Sequence, residues 1–564
     1  DSTNPQRWRH LAVICSGLFM IMLQSNVINL AVPRIQKDFA ADLNTVEWIT
    51  NGYLLVFTIF LLTLGRLGDE IGRRRIFVSG LVVYTLGAAL CAALPSTALG
   101  LYGLILGSLV QGLGGAAMMP ATMSLVVANF AAKERGMALG IWGAVSGLAV
   151  AVGPTLGGYL TDVGMGEAIN NLIGINQGWR YIYILSTLLG IGVLIAAMLH
   201  IPESKDHEAR HSYDIAGIIL SALMLFSLVF GIINGSKYGW WEKKADFQVF
   251  GLNLSPGGVS VTPFFLGAAL LFGLVFVIWE GRRKVDPLMD LRFFKNRNFT
   301  AGSLVAAILN FSMMGSFFLI PVFLQGVLKY SATQAGLIML PMALAVMFAS
   351  PLAGKLSDVF GSKWVIVAGM TIMALGSFLT AQFRPDTSPA ELILPFIVLG
   401  LGIALAMSPI TNTALLTINP EEVGGASGFL STLRQLGSIL GIAILASVFS
   451  TLIPLNIQTN IAAIDDTILP AAAKERIIAG AASGGMEQDA STMDRFLAFF
   501  TKDRAAEIKQ AVGGAMTRSI VDSINSTFRA AAGVALFGAL AALLLKGRRK
   551  ETMDLDAGQE KTEA

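Results

Sequence analysis

The amino-acid sequence predicts an all-α polytopic membrane protein, and three observations lead to this fold class. Of the 564 residues, 54% are hydrophobic and only 14% are charged, whereas soluble domains carry roughly 25% charged residues. The mean hydropathy of the chain is +0.66. Apolar runs of about twenty residues, the length that crosses the hydrocarbon core as a helix, recur fourteen times. A soluble fold of this composition would expose a large apolar surface, so we expect the chain to lie in a membrane.

The fourteen predicted spans follow one another along the chain, with one long polar stretch before the last of them. The 60 glycines of the chain suit helices that pack closely in lipid. The predicted spans are 11–33, 45–67, 76–95, 99–128, 136–161, 180–201, 214–235, 263–281, 300–324, 333–353, 364–383, 390–415, 425–453 and 528–546.

Basic residues cluster in loops that all lie at one end of the predicted helices. The segments GRRRIF, GRRKVDPLMDLRFFKNRN and KGRRK follow the second, eighth and fourteenth spans, and QRWRH precedes the first. Because short basic loops stay on the inner side of a membrane, we expect both termini in the cytoplasm and the protein in the cell membrane. The net charge of +3 is too small to indicate a nucleic-acid partner.

Two predicted outer loops are unusual. In the first, about 236–262, Trp240 and Trp241 are expected to anchor the chain at the membrane surface. The second, about 454–527, contains segments with helical spacing, such as PAAAKERIIAGAA and DRAAEIKQAVGGAMTRSIVDSINS. This spacing predicts a helical hairpin outside the membrane that runs into the last span, and a mobile insert is the alternative interpretation.

One loop motif occurs twice. GRLGDEIGRRR at 65–75 follows the second span and GKLSDVFGSK at 354–363 follows the tenth, and both read G-x-L-x-D-x-x-G. The two motifs occupy equivalent places if the seventh and eighth spans are inserted between two six-helix halves. The sequence therefore predicts an N-terminal six-helix bundle at 1–201, two inserted helices with a cytoplasmic linker at 202–299, and a C-terminal six-helix bundle at 300–564.

The fifth span, GIWGAVSGLAVAVGPTLGGYL, carries small residues at helical spacing. Gly143 and Gly147 stand four residues apart, as do Ala149 and Gly153, which clears one helix face for close approach of another helix. Pro154 removes a backbone donor and favours a kink. The run G-P-x-x-G-G in register with this face is more specific than small-residue spacing alone.

Together these motifs resemble the major facilitator superfamily, in its fourteen-helix drug:proton antiporter branch of EmrB/QacA-type exporters. The resemblance covers nearly the whole chain. It implies two bundles that alternate their access across a lipid bilayer, with a small-molecule or lipid substrate and with protons as the coupling ion. It implies a conformational latch between the halves at Gly65, Asp69, Gly72, Arg73, Gly354, Asp358 and Gly361. It implies an antiporter-motif helix that carries Gly147, Gly153, Pro154, Gly157 and Gly158.

Two charged positions that this family associates with proton coupling are neutral here. The first span, FMIMLQSNVINLAVP, has the family's frame with Gln24 at the position of an Asp. In the fourth span, LGSLVQGLGG, Ser108 stands where the family has an Arg, three residues before Gln111. Because both charges are missing, neither position holds a charge without its partner in lipid. These residues argue against proton coupling at the two positions, so the driving ion stays open.

One charged side chain is predicted deep in the membrane. Arg434 lies about two to three turns into the thirteenth span and is followed by Gln435. No Asp or Glu lies at mid-depth in any predicted span. Two interpretations stay open for Arg434: a cation that lines the cavity or a cytoplasmic gate, and a structural Arg bonded to helix carbonyls.

The candidate cavity residues are polar, aromatic and Met side chains. Methionine recurs at adaptable binding surfaces, but the same stripes occur in ordinary packing, so both interpretations stay open. Met119 and Met313 are further candidates of the same kind. The predicted substrate-cavity residues are Gln24, Asn26, Asn29, Tyr53, Ser108, Gln111, Met118, Trp142, Asn310, Met314, Phe317, Asn412, Arg434 and Gln435.

The functional hypothesis is a monomeric exporter of amphipathic or lipophilic small molecules, drug-like compounds or lipids, that works by alternating access. A buried carboxylate for permanently cationic drugs is not evident, which favours a neutral, zwitterionic or anionic lipophile. The alternative hypothesis is a non-transporting receptor or assembly platform that uses the 454–527 loop. Nucleophile–base pairs, metal-ligand spacing and a nucleotide loop are also not evident, so we expect neither an enzyme nor a bound cofactor or metal. Cys15 and Cys91 fall in apolar runs and are expected to be small buried residues.

Overall fold

The structure is a computed structural model. It describes residues 6–39, 41, 43–95, 97–130, 132–163, 177–203, 214–249, 252–253, 257–283, 288, 291–415, 418, 423–482 and 502–546, apart from some individual side chains within the helices.

The described elements are almost all α-helices, which confirms the predicted all-α class. The exceptions are a 3₁₀ turn (Leu291–Lys295), a π-helical turn (Val322–Val327) and two short antiparallel strands, β1 (Gln248–Val249) and β2 (Leu252–Asn253). The helices are α1 (Arg7–Phe39), α2 (Leu43–Ile71), α3 (Arg73–Ala93), α4 (Ala98–Asn129), α5 (Ala132–Val163), α6 (Arg180–His200), α7 (Ile215–Tyr238), α8 (Thr262–Arg282), α9 (Arg297–Pro321), α10 (Ala332–Phe360), α11 (Ser362–Thr380), α12 (Pro389–Leu415), α13 (Val423–Ala462), α14 (Ala471–Ala482) and α15 (Lys502–Ala542).

In the described part of the chain, twelve helices are long and apolar enough to cross a bilayer, namely α2–α4, α6–α13 and α15. The remaining two predicted spans correspond to α1 and α5, which are 33 and 32 residues long. A shorter apolar stretch of α5 covers Met137–Ala149. Each of the fourteen predicted spans therefore falls on a long helix, and hydropathy supports twelve of them as membrane-crossing.

The first six helices pack with one another. Helix α1 contacts α4, α5 and α6, while α4 packs against both α2 and α3. A Cβ at Gly114 would overlap the backbone of Tyr84, so glycine lets α3 and α4 touch. The hydroxyl of Tyr84 donates to the carbonyl of Met20 at 3.1 Å. Arg7 and Glu134, at the starts of α1 and α5, form an ion pair of 2.9 Å.

Helices α9–α13 and α15 form a second group. Helix α9 packs against α12, α13 and α15, and α12 packs against α10 and α11. A Cβ at Gly441 would overlap the carbonyl oxygen of Phe311, which brings α13 against α9. At one end of the group, Lys363 Nζ donates to Leu543 O at 2.7 Å and Arg297 Nε donates to Leu544 O at 2.6 Å.

The two groups touch each other through α5 with α10 and α2 with α13. A Cβ at Gly140 would lie 2.7 Å from the carbonyl oxygen of Ser350, and a Cβ at Gly428 would lie 3.1 Å from that of Leu61. The hydroxyl of Ser427 donates to the carbonyl oxygen of Pro120 at 3.3 Å. These contacts lie toward the end of the bundle where α2 ends and α3 begins, which we call the basic end after its Arg73–Arg75 run.

Helices α7 and α8 form a hairpin whose α7 packs across the seam between α2 and α13. Leu225 and Val229 of α7 share an apolar cluster with Leu55 of α2 and Ile439 of α13. At the start of the hairpin, Asp214 accepts hydrogen bonds from the backbone of Gly217 and the indole of Trp279, and pairs with Arg283 at 3.5 Å. This position between the two groups fits an inserted pair, while the domain boundaries at 201 and 299 remain predictions.

The polar stretch before the last span is helical where the structure describes it, as its spacing predicts. Helix α14 and the first part of α15 correspond to the segments PAAAKERIIAGAA and DRAAEIKQAVGGAMTRSIVDSINS, and α15 runs on into the last span. Helix α13 continues to Ala462, beyond the predicted end of its span at 453, so both helices extend past the predicted membrane spans. The extensions persist because Ile457 and Ile461 pack against Ile508 and Val512 in an apolar core of their own. The side of the membrane on which this lobe lies remains a prediction.

The repeated loop motif has the same backbone solution in both places. Gly72 (φ +122°) separates α2 from α3, and Gly361 (φ +84°) separates α10 from α11. L-residues with side chains avoid these conformations, so both loops need glycine. At Gly72 the carboxylate of Glu203 lies nearby, and this carboxylate accepts the backbone N–H of Arg74 at 3.2 Å and pairs with Arg75 at 3.5 Å.

Replacing either loop glycine with alanine should lower the thermal midpoint, and Gly72→Ala should lower it more. Both variants bear backbone strain of about 1–3 kcal/mol. Only at Gly72 would the new Cβ also lie 2.5 Å from Glu203 Oε1, whereas at Gly361 it meets nothing within 4 Å. Gly361→Ala is therefore the matched control, measured by thermal unfolding of the purified protein. Equal midpoints for the two variants would mean that the Glu203 carboxylate does not contribute to the stability of this loop.

Candidate functional site: a cavity between the two halves

A cavity lies between the two helix groups. Its walls come from α1, α2, α4 and α5 on one side and from α9, α10, α12 and α13 on the other. The lining residues are Met22, Phe57, Leu61, Met119, Ser146, Gly147, Asn310, Met313, Met314, Phe317, Met342, Ala343, Val346, Ile403, Met407, Ser431, Arg434, Gln435 and Ser438.

The cavity wall is mostly apolar and is rich in methionine. Unbranched Met side chains adapt to ligands of different shape, and Phe57 and Phe317 add flat aromatic surface. The neutral polar groups are few. Asn310 is one of them, and its amide nitrogen donates to the carbonyl of Ala306 at 2.8 Å, which leaves the amide oxygen for other partners. Such a site suits a largely apolar molecule that carries a small number of polar groups.

Arg434 is the one charged residue among the described side chains that line the cavity. It is only 6% exposed, and its guanidinium carbon lies 5.3 Å from the ring centroid of Trp142 on α5. The Trp142 indole donates to Thr122 Oγ1 at 3.1 Å, and that hydroxyl donates to Met119 O at 2.7 Å. Three helices of both halves, α4, α5 and α13, thus fix the position of the cation.

Part of the predicted cavity set lines the cavity, and the structure adds residues that the sequence did not single out. Met22, Leu61, Met342, Ile403 and Met407 are among the additions. Apolar residues of this kind carry no signal in a sequence that is apolar almost everywhere. The predicted cavity residues that do line the cavity are Met119, Asn310, Met313, Met314, Phe317, Arg434 and Gln435.

Other predicted residues are placed behind the wall. Trp142 lies beneath Arg434, and Tyr53 stacks on Phe57 with ring centroids 5.8 Å apart. Met118 is buried and packs between Gly17 of α1 and Gly80 of α3. Gln111 is buried against Gly87, and Asn412 is buried in α12 without reaching the cavity. The side chains of Asn26 and Asn29 lie outside the described part of the chain.

Gln24 and Ser108 are also buried inside the first half and do not line the cavity. Gln24 is 3% exposed, and its amide oxygen accepts a hydrogen bond from Ser186 of α6 at 3.1 Å. Ser108 on α4 is 1% exposed. Helix α1 instead turns Met22 toward the cavity. The amide of Gln24 therefore ties α1 to α6 by a neutral hydrogen bond within one half.

The small residues of α5 face two neighbours. Gly147 lines the cavity and abuts Val346 of α10, in the other half. Toward the other end, a Cβ at Gly157 would lie 2.9 Å from the side chain of Val27 of α1, in the same half. Gly153 and Gly158 are buried, and the side chain of Pro154 is not described. The motif thus serves the inter-half contact at one end and packing within the first half at the other.

Among the described latch residues, Gly65 lies at a contact between the two halves. The Cα of Gly65 lies 3.2 Å from where a Cβ on Gly428 would be, so α2 and α13 approach through glycine. Arg73 is buried, Asp358 is exposed and Gly354 is buried. The side chain of Asp69 falls outside the described residues.

The chain is similar to several known proteins. A family model described as Major Facilitator Superfamily matches residues 14–442. The Multidrug resistance protein Stp of Mycobacterium tuberculosis (strain CDC 1551 / Oshkosh) is 31% identical over 446 residues, covering 79% of this chain and 76% of Stp. The Multidrug transporter protein MdtP of Bacillus subtilis (strain 168) is 28% identical over 553 residues, covering 97% and 94%. The crystal structure of the human organic anion transporter MFSD10 has a TM-score of 0.56 at 13% identity, covering 96% of this chain and 100% of that one, and this likeness concerns the fold alone.

Proposed function

Because the chain belongs to the major facilitator superfamily and is a multi-pass membrane transporter, we propose that it exports amphipathic or lipophilic small molecules by alternating access. The relatives Stp and MdtP are named as multidrug proteins, which supports an export role. The hairpin of α7 and α8 between the two six-helix groups supports placement in the fourteen-helix drug:proton antiporter branch.

The observation that carries this proposal is the methionine-rich cavity between the two halves. Residues of both halves line it, so a relative movement of the halves changes its access. Its apolar wall favours molecules that partition into lipid, whether drug-like compounds or lipids themselves. The helix contacts of Gly140 and Gly428 close the bundle at its basic end. If basic loops are cytoplasmic, as we propose, this state is closed to the cytoplasm.

Proton coupling through the family's usual pair is not part of the proposal. Gln24 and Ser108 carry no titratable group, and among the described lining residues there is no carboxylate. A buried acid would be the group that binds and releases a proton in each cycle. We therefore propose that transport follows the substrate gradient rather than the pH gradient, and that the protein works as a monomer.

Proteoliposomes that contain the purified protein test this proposal. A lipophilic fluorescent dye should move faster than in empty liposomes, and an imposed pH gradient should leave the rate unchanged. Strong movement of a cationic dye driven by the pH gradient would contradict the mechanism without proton coupling. Absence of protein-dependent movement for every lipophilic probe would contradict export itself.

The double variant Gln24→Asp with Ser108→Arg should introduce a dependence of transport on the pH gradient. The pair restores an acid and a base at buried positions of one half, where the two charges can compensate each other in lipid. The single Gln24→Asp variant is the control, because a lone buried carboxylate should stay protonated and give no coupling. If the double variant folds and transports at a rate that does not depend on the pH gradient, then these two positions do not couple transport to protons.

A further inference from the structure

The cavity contains a buried cation whose hydrogen-bonding capacity is incompletely used. Arg434 is 6% exposed, and its Nη1 atom has no hydrogen-bond partner among the described residues. A guanidinium that is withdrawn from water without an acceptor is costly, so buried arginines are normally paired with carboxylates or phosphates. The described residues that line the cavity around it have neutral side chains, at Asn310, Ser431 and Gln435 in particular.

The guanidinium is held in place rather than free to reach the membrane surface. Its carbon lies 5.3 Å from the Trp142 ring centroid, a cation–π distance. Trp142 is itself 1% exposed and is anchored through its indole to Thr122. An aromatic face on one side and an unpaired Nη1 on the same group leave donors available for a ligand in the cavity. This arrangement makes a preorganised donor for an oxyanion.

We propose that the substrates of this transporter are amphipathic organic anions, whose single oxyanion group, a carboxylate or a phosphate, binds Arg434. This inference rests on the proposed export function and narrows its substrate class from lipophiles in general. The apolar body of the substrate occupies the methionine-lined space beside the guanidinium. A cationic drug is disfavoured because it would place a second positive charge beside Arg434 in apolar surroundings.

A matched series of pyrene probes tests the proposal on the full chain purified in detergent. Pyrenebutyrate is anionic, pyrenebutanamide is neutral and pyrenebutylamine is cationic, and all three share the same ring system. Binding is measured by quenching of tryptophan fluorescence. The wild type should bind the acid about tenfold more tightly than the amide, the scale of a charge-assisted hydrogen bond, and should bind the amine most weakly.

Variants of Arg434 distinguish the effect of its positive charge from the effect of its planar shape on binding of the acid. Arg434→Met should bind the acid and the amide equally, with the amide affinity kept within about threefold of wild type. Arg434→Lys keeps the charge without the planar fork and should retain part of the preference. Arg9→Met, which removes an exposed arginine elsewhere, is the control and should behave as wild type. The thermal midpoint and the amide affinity together show that each variant is folded.

Two kinds of result would overturn the anion assignment. Equal affinity of the wild type for acid and amide, or a preference for the amine, would overturn the anion assignment while leaving export of lipophiles standing. An acid preference that survives in Arg434→Met would also overturn it, because another group would then bind the anion. A dialkyl phosphate probe, tested in place of pyrenebutyrate, compares the affinity of Arg434 for a phosphate with its affinity for a carboxylate. Failure of all three pyrene probes to bind would contradict both this inference and the use of the cavity as a lipophile site.

Discussion

Replacing Gly140 with valine is expected to reduce transport by about tenfold or more while leaving the protein folded. Gly140 lies on α5 where it meets α10, and a Cβ there would be 2.7 Å from Ser350 O and 2.9 Å from Pro351 Cα. Both are backbone atoms that cannot rotate away. A penalty of only about 1.4 kcal/mol against the state closed at the basic end shifts a two-state equilibrium tenfold. Because the clash lies between the halves, folding of each half is spared.

The measurement for Gly140→Val combines transport in proteoliposomes with thermal unfolding. Gly192→Val is the matched control, since Gly192 is exposed on α6 and a Cβ there meets nothing within 4 Å. The control should transport at the wild-type rate. Normal transport by Gly140→Val would mean that the α5–α10 contact does not form in the working cycle.

Replacing Gly441 with valine is expected to have the opposite outcome, a loss of folded protein. Gly441 lies on α13 inside the second half, and a Cβ there would overlap the carbonyl oxygen of Phe311 on α9. These helices stay together throughout the proposed cycle, so no alternative state relieves the clash. Overpacking of this kind typically costs about 1–3 kcal/mol or more. We expect a lower thermal midpoint and a lower yield of monodisperse protein.

The control for Gly441→Val is Gly533→Val on α15, where the glycine is exposed and a Cβ is free of neighbours. This variant should keep its midpoint and its yield. The contrast between Gly140 and Gly441 tests the architecture, because one clash lies between halves and the other within a half. If both variants unfold alike, the two halves do not behave as separate rigid bodies.

The helices could be predicted from the sequence because each is a long apolar run, and in lipid such a run must satisfy its backbone within the helix. The paired loop motifs were equally readable, since Gly72 and Gly361 adopt backbone conformations that favour glycine. The helical spacing of the stretch before the last span predicted α14 and the first part of α15, but the continuation of α13 from 453 to Ala462 was not predicted. There, Ile457 is buried in an apolar core that it shares with Ile508, and hydropathy alone does not reveal such pairing.

The cavity was only partly predictable, because the sequence does not show how each helix is rotated about its own axis. A helix that is apolar on all faces gives no sequence signal for the face that points inward. Met22 and Gln24 are two residues apart, yet the first lines the cavity and the second bonds to Ser186 inside the half. Arg434 could be identified because a charge in a membrane span is rare and costly. Its cation–π contact with Trp142 depends on how α13 and α5 are placed on opposite sides of the cavity, which no local pattern encodes.

The most direct test of alternating access uses a single cysteine in the cavity wall. Met314→Cys, in a chain whose Cys15 and Cys91 are replaced by alanine, is exposed to a membrane-impermeant thiol reagent in vesicles of either orientation. Alternating access predicts labelling from both faces, with Gly140→Val raising labelling from the basic end and lowering it from the other. Labelling from one face only, unchanged by Gly140→Val and by added lipophilic probe, would contradict the account.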